Sequence, residues 1–193
     1  MKQGKLIILT APSGTGKTSI CKQLLKNNKE WDFSVSVTTR PKRSGEVEGK
    51  DYIYMNSDKF EHHVKFGEFI EWEWVHGYKY GTLFSTIDEA MDENKILILD
   101  IDVKGGISIM EEYEEDCITF FVEPPGDNLA EQLEVLEERL NIRGNENSTL
   151  VNRRLQRVSK ELEFKEKFQH HIVNENLKEA TNEIESIIKE KTK

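Results

Sequence analysis

A loop of small residues, which follows an apolar run and precedes a helical pattern, has the composition of a phosphate-binding loop. Gly14 and Gly16 allow the backbone to turn its N–H groups inward around phosphate oxygens. Lys17 is placed to reach those phosphates, and the hydroxyl of Thr18 can ligate Mg²⁺. We therefore predict that this loop binds a nucleoside triphosphate. The predicted triphosphate-binding residues are Ala11, Pro12, Ser13, Gly14, Thr15, Gly16, Lys17, Thr18 and Ser19.

The loop departs from the pattern G-x-x-x-x-G-K-[ST] at one position, because Ala11 stands where the first glycine is usual. The alternative interpretation is a glycine-rich turn that holds no ligand. Asp100 favours phosphate binding, since it ends the apolar run ILILD as a carboxylate that could hold Mg²⁺ through water. Its alternative role is to cap the helix that follows. Thr18 and Asp100 are the predicted metal-binding residues, and Mg²⁺ is the predicted metal.

A second group of residues, spread over two later segments, could bind a phosphorylated acceptor. They are Ser36, Arg40, Arg43 and Tyr52 in SVTTRPKRSGEVEGKDY, and Glu71, Tyr80 and Thr82 in GEFIEWEWVHGYKYGT. Paired guanidiniums suit a dianionic phosphate because each presents a planar fork of donors. Considered singly, the arginines could be a solvated basic loop and the tyrosines ordinary surface aromatics. We assign the alternating Trp72 and Trp74 to packing on a strand face.

In these segments the chain resembles the guanylate kinase family of the bacterial type. The matching patterns are S-x-T-T-R-x-x-R-x-G-E-x-x-G-x-D-Y, then F-I-E-W and Y-G-[ST], and later ILDID and HHIVNENL. Together they extend the resemblance over nearly the whole chain. The resemblance implies direct transfer of the γ-phosphoryl group of ATP to GMP or dGMP, which gives ADP and GDP, with Mg²⁺ as cofactor and no phospho-enzyme.

The resemblance also implies a role for each acceptor-binding residue. Arg40 and Arg43 would hold the 5′-phosphate of GMP, and the hydroxyls of Tyr52 and Tyr80 would complete the contacts. Glu71 would accept hydrogen bonds from N1–H and the 2-amino group of guanine, two donors that adenine lacks. The remaining residues implied in base recognition are Ser36, Thr82 and Asp102.

A later segment, ERLNIRGNENSTLVNRRLQR, carries arginines that could neutralise the charge that spreads during phosphoryl transfer. By resemblance it is a mobile lid, although it departs from the family's usual R-G-T-[DE]-[ST]-x-E. Which arginine acts in transfer stays open, and so does the alternative of a helix pair with solvated arginines. Asn174 resembles a residue of the adenine pocket. The catalytic residues implied are Lys17, Arg43, Arg139, Arg143 and Arg154.

Strand-like and helical patterns alternate along the chain, which predicts an α/β P-loop NTPase core with a parallel sheet flanked by helices. KLIILT, KILILDID and CITFFV are typical of buried strands, and FSVSVT, at residues 33–38, of a half-buried strand. Two segments interrupt the alternation where a ligand crevice is expected. We predict one domain with a core at residues 1–35, 95–124 and 168–193, a GMP-binding insert at 36–94 and a lid at 125–167.

The composition excludes several classes of protein. A chain of 193 residues can bury one substantial core, and no apolar run approaches the length of a membrane-spanning helix. The net charge of −9 argues against a broad surface for nucleic acid or for an anionic membrane. Cys21 and Cys117 fit neither a disulfide framework nor a zinc spacing, so we expect a cytoplasmic protein. No pattern specifies an oligomeric state.

Three other functions remain open on the sequence alone. Another P-loop nucleotide or sugar-phosphate kinase would share the phosphate loop but would not need the ordered acceptor residues from Arg40 to Glu71. A non-catalytic guanylate-kinase-like module, which recognises phosphorylated protein motifs, would typically lose the phosphate loop, whereas Lys17 and Thr18 are present. A GTPase-type switch would be expected to carry N-K-x-D late in the chain, where it is absent.

Overall fold

The computed structural model describes residues 4–75, 77–142 and 148–193 of the chain. Its strands are β1 (Lys5–Thr10), β2 (Asp32–Phe33), β3 (Val37–Thr38), β4 (Ile53–Tyr54), β5 (Phe69–Val75), β6 (Tyr78–Leu83), β7 (Ile96–Asp100), β8 (Cys117–Glu123) and β9 (His170–Val173). Its helices are α1 (Lys17–Asn27), α2 (Ser57–Lys65), α3 (Phe84–Asp92), α4 (Val103–Glu112), α5 (Leu129–Ile142), α6 (Ser148–Leu162) and α7 (Leu177–Lys191). Within the described residues, every helix is too short or too polar to cross a bilayer.

Five parallel strands form the central sheet, in the order β2-β7-β1-β8-β9. Strand β1 lies between β7 and β8, with Leu9 opposite Asp100 on one side and Phe120 on the other. Because all five strands run in one direction, their carboxyl ends meet at one edge, where open α/β sheets form their ligand crevice. The predicted α/β architecture with a parallel sheet flanked by helices is confirmed.

Helices cover both faces of the central sheet, which explains why its strands are nearly continuous apolar runs. Along β1, Ile7 and Leu9 pack in the core that includes α1 and α7, whereas Leu6 and Ile8 pack in the core that includes α3 and α4. All four side chains are fully buried. Burial of each contributes roughly 1.5–3 kcal/mol to folding, so β1 firmly positions the phosphate loop that follows it.

A smaller sheet, of order β4-β3-β6-β5, lies in the chain segment between β2 and α3. Its strands β5 and β6 are antiparallel, with Glu71 opposite Thr82 and Glu73 opposite Tyr80. Phe60 of α2 is fully buried against this sheet and forms the centre of a satellite core. The sheet therefore presents two glutamates of β5 on the face away from its exposed tryptophans, since side chains alternate along a strand.

The prediction of a single strand over residues 33–38 is wrong. Phe33 ends β2 of the central sheet, and Val37 begins β3 of the smaller sheet. The N–H of Ser34 still donates to the carbonyl of Ile98 at 2.9 Å, so the chain leaves the central sheet after that residue. A period of two cannot distinguish one strand from two short strands that belong to different sheets.

Helix α4 approaches the central sheet closely through glycine. A Cβ added at Gly106 would lie 2.8 Å from Cγ2 of Thr10 and 3.2 Å from Cγ2 of Ile8. A Cβ added at Gly105 would lie 2.7 Å from Cδ1 of Ile101. The two glycines thus allow the start of α4 to lie against the sheet edge where the site is formed.

We predict that Gly106→Ala lowers the free energy of unfolding by about 1 kcal/mol or more, even though alanine favours helix. The added methyl group must push α4 away from β1 in a well-packed core. Urea denaturation followed by circular dichroism measures the change. Ser108→Ala is the control, because it also introduces alanine into α4. The hydroxyl that it removes donates to the carbonyl of Lys104, one turn earlier in the same helix. Wild-type stability in Gly106→Ala would contradict the close approach.

Candidate active site

The phosphate loop turns sharply between β1 and α1. Gly14 and Gly16 have φ angles of 94° and 99°, a left-handed conformation that side chains rarely permit. Inside the loop, the hydroxyl of Thr15 donates to the carbonyl of Pro12 at 2.8 Å, and Thr15 is fully buried. Thr15 therefore stabilises the loop from within. The N–H groups at the start of α1, together with the helix dipole, favour an anion in front of the loop.

Asp100 joins the two polar residues that begin α1. The ammonium of Lys17 lies 3.0 Å from Oδ1 of Asp100, and the hydroxyl of Thr18 donates to Oδ2 at 2.7 Å. Lys17 also donates to the carbonyl of Ile101. Helix α4 is capped instead by Asp102, whose Oδ1 accepts a hydrogen bond from the backbone N–H of Gly105 in that helix. The geometry thus favours the site role of Asp100 over a role as helix cap.

Two residues support the phosphate loop from behind. The side-chain amide of Asn174, which is 5% exposed, donates to the carbonyl of Thr15 at 2.6 Å. Arg139 of α5 donates to the carbonyl of Asn174 at 2.9 Å and to that of Thr15 at 3.4 Å. A Cβ added at Gly16 would lie only 2.6 Å from the amide nitrogen of Asn174. The structure thus brings both predicted residues to the loop, through its backbone.

A cavity of about 670 Å³ opens in front of the phosphate loop, between the loop, β5 and α6. The predicted triphosphate residues line it except Thr15, which turns inward, and Ser19, which is exposed on α1. We call it the loop cavity. Its lining residues are Ala11, Pro12, Ser13, Gly14, Gly16, Lys17, Thr18, Glu73, Val75, Asp102, Gln156, Arg157, Lys160 and Glu161.

Helix α6 places a carboxylate against the phosphate loop. Glu161 accepts a hydrogen bond from the backbone N–H of Ser13, while its Oε2 is buried and has no hydrogen-bond partner in the part of the chain that the structure describes. Burial raises the pKa of Glu161, and the charge of Lys17 acts in the opposite direction. Arg157 and Lys160 of the same helix line the loop cavity. The helix therefore presents charges of both signs to the loop.

A second cavity, of about 300 Å³, adjoins the first and is called the acceptor cavity. The two cavities share Glu73, Val75 and Asp102 as lining residues. Five of the residues predicted to bind the acceptor line the smaller one. The lining residues of the acceptor cavity are Ser36, Tyr52, Glu71, Glu73, Val75, Tyr80, Gly81, Asp100, Ile101 and Asp102.

Arg40 is buried at 6% exposure, and each nitrogen of its guanidinium has a partner. Its two terminal nitrogens donate to the carboxylate of Glu46 at 2.7 and 3.1 Å, and its Nε donates to the hydroxyl of Tyr80 at 3.2 Å. The hydroxyl of Tyr54 and the backbone N–H of Arg43 also donate to Glu46, each at 2.7 Å. These hydrogen bonds, that of Arg40 above all, lower the pKa of Glu46 to about 2.

Arg43, like Arg40 and Arg139, is not among the residues that line the two cavities. Arg43 lies exposed on the loop that contains Glu46. Arg143 lies outside the described residues, and Arg154 lies on α6. The assignment of transfer chemistry to these residues stays a prediction.

Glu71 is the carboxylate predicted to read the acceptor base. It accepts a hydrogen bond from the hydroxyl of Thr82, its partner across β6, at 2.7 Å. Burial raises its pKa to about 7, and the negative charges of Asp102 and Glu73 act in the same direction. Because burial disfavours its charged form, the ionised carboxylate of Glu71 has a strong tendency to accept further hydrogen bonds.

Glu73 and Asp102 share a hydrogen bond at the boundary between the two cavities. That bond, with burial, raises the pKa of Glu73 to about 7. The pKa of Asp102 is lowered, because its bonds from Glu73 and from the N–H of Gly105 outweigh the effect of burial. Lys104 lies 3.5 Å from Glu73. The two carboxyl groups therefore contact each other directly at this boundary.

Four residues of the site were missed by the sequence predictions. Glu46 follows Arg43 by three residues and lies within the matching pattern, but no function was assigned to it. Glu73 follows Glu71 by two residues, so the period of a strand already placed both on one face. Arg157 and Glu161 are four residues apart on α6, a spacing that predicts a shared helix face.

The family model and the curated relatives that match this chain name the same family. The family described as "Guanylate kinase" has a model that matches residues 3–191. A guanylate kinase from Thermotoga maritima is 42% identical over 97% of this chain and 87% of its own length, and one from Clostridium tetani is 39% identical over 97% and 86%. The crystal structure of a guanylate kinase from Anaplasma phagocytophilum superposes with a TM-score of 0.77 at 29% identity, covering 100% of this chain and 88% of that one.

We predict that Glu71→Gln stabilises the protein more at pH 8 than at pH 4.5. Between pH 4.5 and about 7 the folded protein retains a proton on Glu71 that the unfolded chain releases, so the contribution of this residue to the unfolding free energy falls as pH rises. The interval corresponds to about 3 kcal/mol at most. Urea denaturation at both pH values measures the difference between variant and wild type.

The control for this measurement is Glu89→Gln, because Glu89 is exposed on α3. Its stability difference from the wild type should be the same at both pH values. A Glu71→Gln difference that is also independent of pH would show that Glu71 is already ionised at pH 4.5, contrary to the burial argument.

Proposed function

Because the chain belongs to the guanylate kinase family, we propose that the loop cavity holds ATP and the acceptor cavity holds GMP. The enzyme transfers the γ-phosphoryl group of ATP to GMP and gives ADP and GDP. One observation supports the assignment of one substrate to each cavity: the two cavities adjoin and share Glu73, Val75 and Asp102. Transfer in line needs two phosphates brought face to face, and adjoining cavities meet that need.

On the donor side, the N–H groups of the phosphate loop and the ammonium of Lys17 bind the triphosphate. Thr18 and Asp100 suit Mg²⁺, since a hydroxyl and a carboxylate that lie 2.7 Å apart are hard oxygen ligands and this ion keeps waters and phosphate oxygens for its other positions. When bound, Mg²⁺ supplies charge neutralisation at the phosphates. Lys17 lies beside the same carboxylate and positions the transferring group.

Arg40 and Arg43 bind the 5′-phosphate of GMP, with Tyr52 and Tyr80 at its side. Arg40 is held for this task, because Glu46 and Tyr80 fix the plane of its guanidinium, and the centroid of the Tyr52 ring lies 5.2 Å from the guanidinium carbon. The incoming phosphate competes with Glu46 for the same donors. Binding of GMP therefore replaces the charge-assisted hydrogen bonds between Arg40 and Glu46 with similar bonds between Arg40 and the phosphate.

The guanine base is read by Glu71, with Ser36, Thr82 and Asp102 around it. Guanine presents two donors, N1–H and the 2-amino group, and a carboxylate accepts both in one plane. Adenine would supply neither donor and would leave Glu71 buried with Thr82 as its one hydrogen-bond donor among the residues that the structure describes, which costs far more than losing a contact. The hydroxyl of Thr82 already donates to Glu71 at 2.7 Å and fixes its orientation.

The residues around 36–94 form the acceptor-binding arm and those around 125–167 the lid, on a core formed by the rest of the chain. The lid carries Arg139, Arg143 and Arg154 toward the donor phosphates, which neutralises charge in the transition state and limits access of water. Support comes from Arg139, which reaches the carbonyl of Thr15 in the phosphate loop. Asn174 supports the loop beneath ATP. An oxygen of the GMP phosphate is itself the nucleophile, so no general base is required.

The cellular setting proposed is the cytoplasm, with ATP and GMP or dGMP as small-molecule substrates and no nucleic-acid or membrane partner. This proposal rests on the net charge of −9 and on the absence of a cysteine framework in the sequence. We propose no oligomeric state.

The test of function compares GMP, AMP and UMP as acceptors, with ATP saturating and ADP formation as the readout. We expect kcat/KM for GMP to exceed that for AMP by a factor on the order of 10⁴, because a site built to pair donors rejects an analogue that lacks them. Glu71→Gln should lose most of this preference. Equal turnover of AMP and GMP by the wild type would overturn the assignment of Glu71.

Lys17→Ala should lower kcat by about 10²–10³-fold while GMP binding stays near that of the wild type, since Lys17 acts on the donor phosphates. Arg40→Ala should instead raise KM for GMP by roughly 10–150-fold and change KM for ATP little. Steady-state kinetics and calorimetric GMP titrations separate the two outcomes. Lys22→Ala and Lys42→Ala, exposed residues on the same helix and the same loop, are the matched controls.

Unchanged GMP kinetics in Arg40→Ala would show that the phosphate clamp lies elsewhere. Loss of GMP binding in Lys17→Ala, with a wild-type unfolding curve, would show that the two cavities are not separate subsites.

A further inference from the structure

Glu73 lies at the junction of the two cavities but has no part in the roles derived above. It lines both the loop cavity and the acceptor cavity. Its side chain is 32% exposed, so its carboxylate is within reach of a ligand in either cavity. On β5 it follows Glu71 by two residues, which puts both side chains on one face.

The ladder between β5 and β6 orders the proposed acceptor contacts along one line. In one pair, Glu71 lies opposite Thr82, and both are proposed to surround the base. In the next pair on the same face, Glu73 lies opposite Tyr80, whose hydroxyl is hydrogen-bonded to the phosphate-binding Arg40. The two pairs are about 7 Å apart along the strand. A nucleotide that spans from the first pair to the second carries its ribose past Glu73.

The chemistry of a ribose suits a carboxylate at this place. Its hydroxyl groups are hydrogen-bond donors, and a carboxylate has about four acceptor positions. Asp102 and Lys104 take up part of the acceptor capacity of Glu73, and because Glu73 lines both cavities, its remaining positions are available to a ligand there. At pH 8, above its pKa of about 7, the carboxyl group of Glu73 is ionised, and bonds to a charged acceptor are roughly twice as strong as those between neutral groups.

We propose that Glu73 accepts a hydrogen bond from the 2′-hydroxyl of the acceptor ribose and makes this enzyme select GMP over dGMP. The proposal rests on the proposed function, since it assumes that the acceptor cavity holds GMP. Loss of the hydroxyl leaves a carboxylate beside Asp102 with one donor fewer, so dGMP is discriminated against as a substrate. Glu73 is thus a specificity residue that acts on binding rather than on the reacting phosphate.

The experiment measures kcat/KM for GMP and dGMP in the wild type, Glu73→Ala and Glu73→Gln at pH 8. For the wild type we expect GMP to be preferred over dGMP by roughly 10-fold or more, the value of a hydrogen bond to a charged group. In Glu73→Ala the ratio should fall to near one, mainly through a higher KM for GMP, with dGMP turnover within about twofold of the wild type. Glu73→Gln, which keeps one acceptor oxygen, should give an intermediate ratio.

Trp74→Tyr is the matched control, because Trp74 follows Glu73 on β5 and is exposed on the opposite face. It should keep the wild-type ratio. Turnover of dGMP by Glu73→Ala reports that the variant is folded, so a lost ratio cannot be ascribed to unfolding. A wild-type ratio near one, or a ratio unchanged in Glu73→Ala, would overturn the role of Glu73 while GMP turnover itself still supported the proposed function. Absence of GMP turnover in the wild type would instead overturn the proposed function.

Discussion

The register between β1 and β7 is the constraint on which the rest of the site depends. Because Leu9 lies opposite Asp100, the phosphate loop and the carboxylate that ends β7 leave the sheet side by side. A shift of β7 by one residue would turn Asp100 to the other face, since side chains alternate along a strand. The ammonium of Lys17 and the hydroxyl of Thr18 would then lose the carboxylate that both contact. The buried apolar residues of β1 hold this register, so the core of the fold and the geometry of the site cannot be separated.

The cations Lys17 and Arg40 require counter-charges, and the chain supplies carboxylates for them. Asp100 forms an ion pair with Lys17, and Glu46 forms one with the guanidinium of Arg40. Glu161 accepts a hydrogen bond from the phosphate loop. These contacts hold the donors in the directions from which phosphate oxygens would be bound. They also mean that a phosphate bound as proposed would replace an existing pair, so its affinity would reflect a difference between two electrostatic interactions. Such an arrangement favours selectivity for correctly shaped anions over tight binding of any anion.

The donor half of the site could be predicted from the sequence because its parts are contiguous. The loop, the start of α1 and the end of β7 are each read from a few adjacent residues, and Lys17 and Asp100 lie where those patterns predict. Glu46 and Glu161 could not be predicted, because their role depends on which donors lie near them in space. In a chain with 36 acidic residues, their spacing alone does not distinguish them from solvated glutamates. The strand at residues 33–38 failed for a similar reason, since the division into two sheets is a long-range property.

The alternation of side chains along β5 places two tryptophans on one face and two glutamates on the other. Trp72 and Trp74 share a strand face as predicted, but they are 45% and 56% exposed and lie beside the ammonium of Lys79 rather than in a core. The opposite face carries Glu71 and Glu73, whose pKa values are both raised to about 7. Burying carboxylates costs stability unless donors reach them. On the assignments proposed here, a guanine nucleotide would supply such donors at its base edge and its ribose, whereas an adenine base would supply none to Glu71. On the same assignments, the free energy that burial of the two carboxylates costs the protein would also discriminate between acceptors.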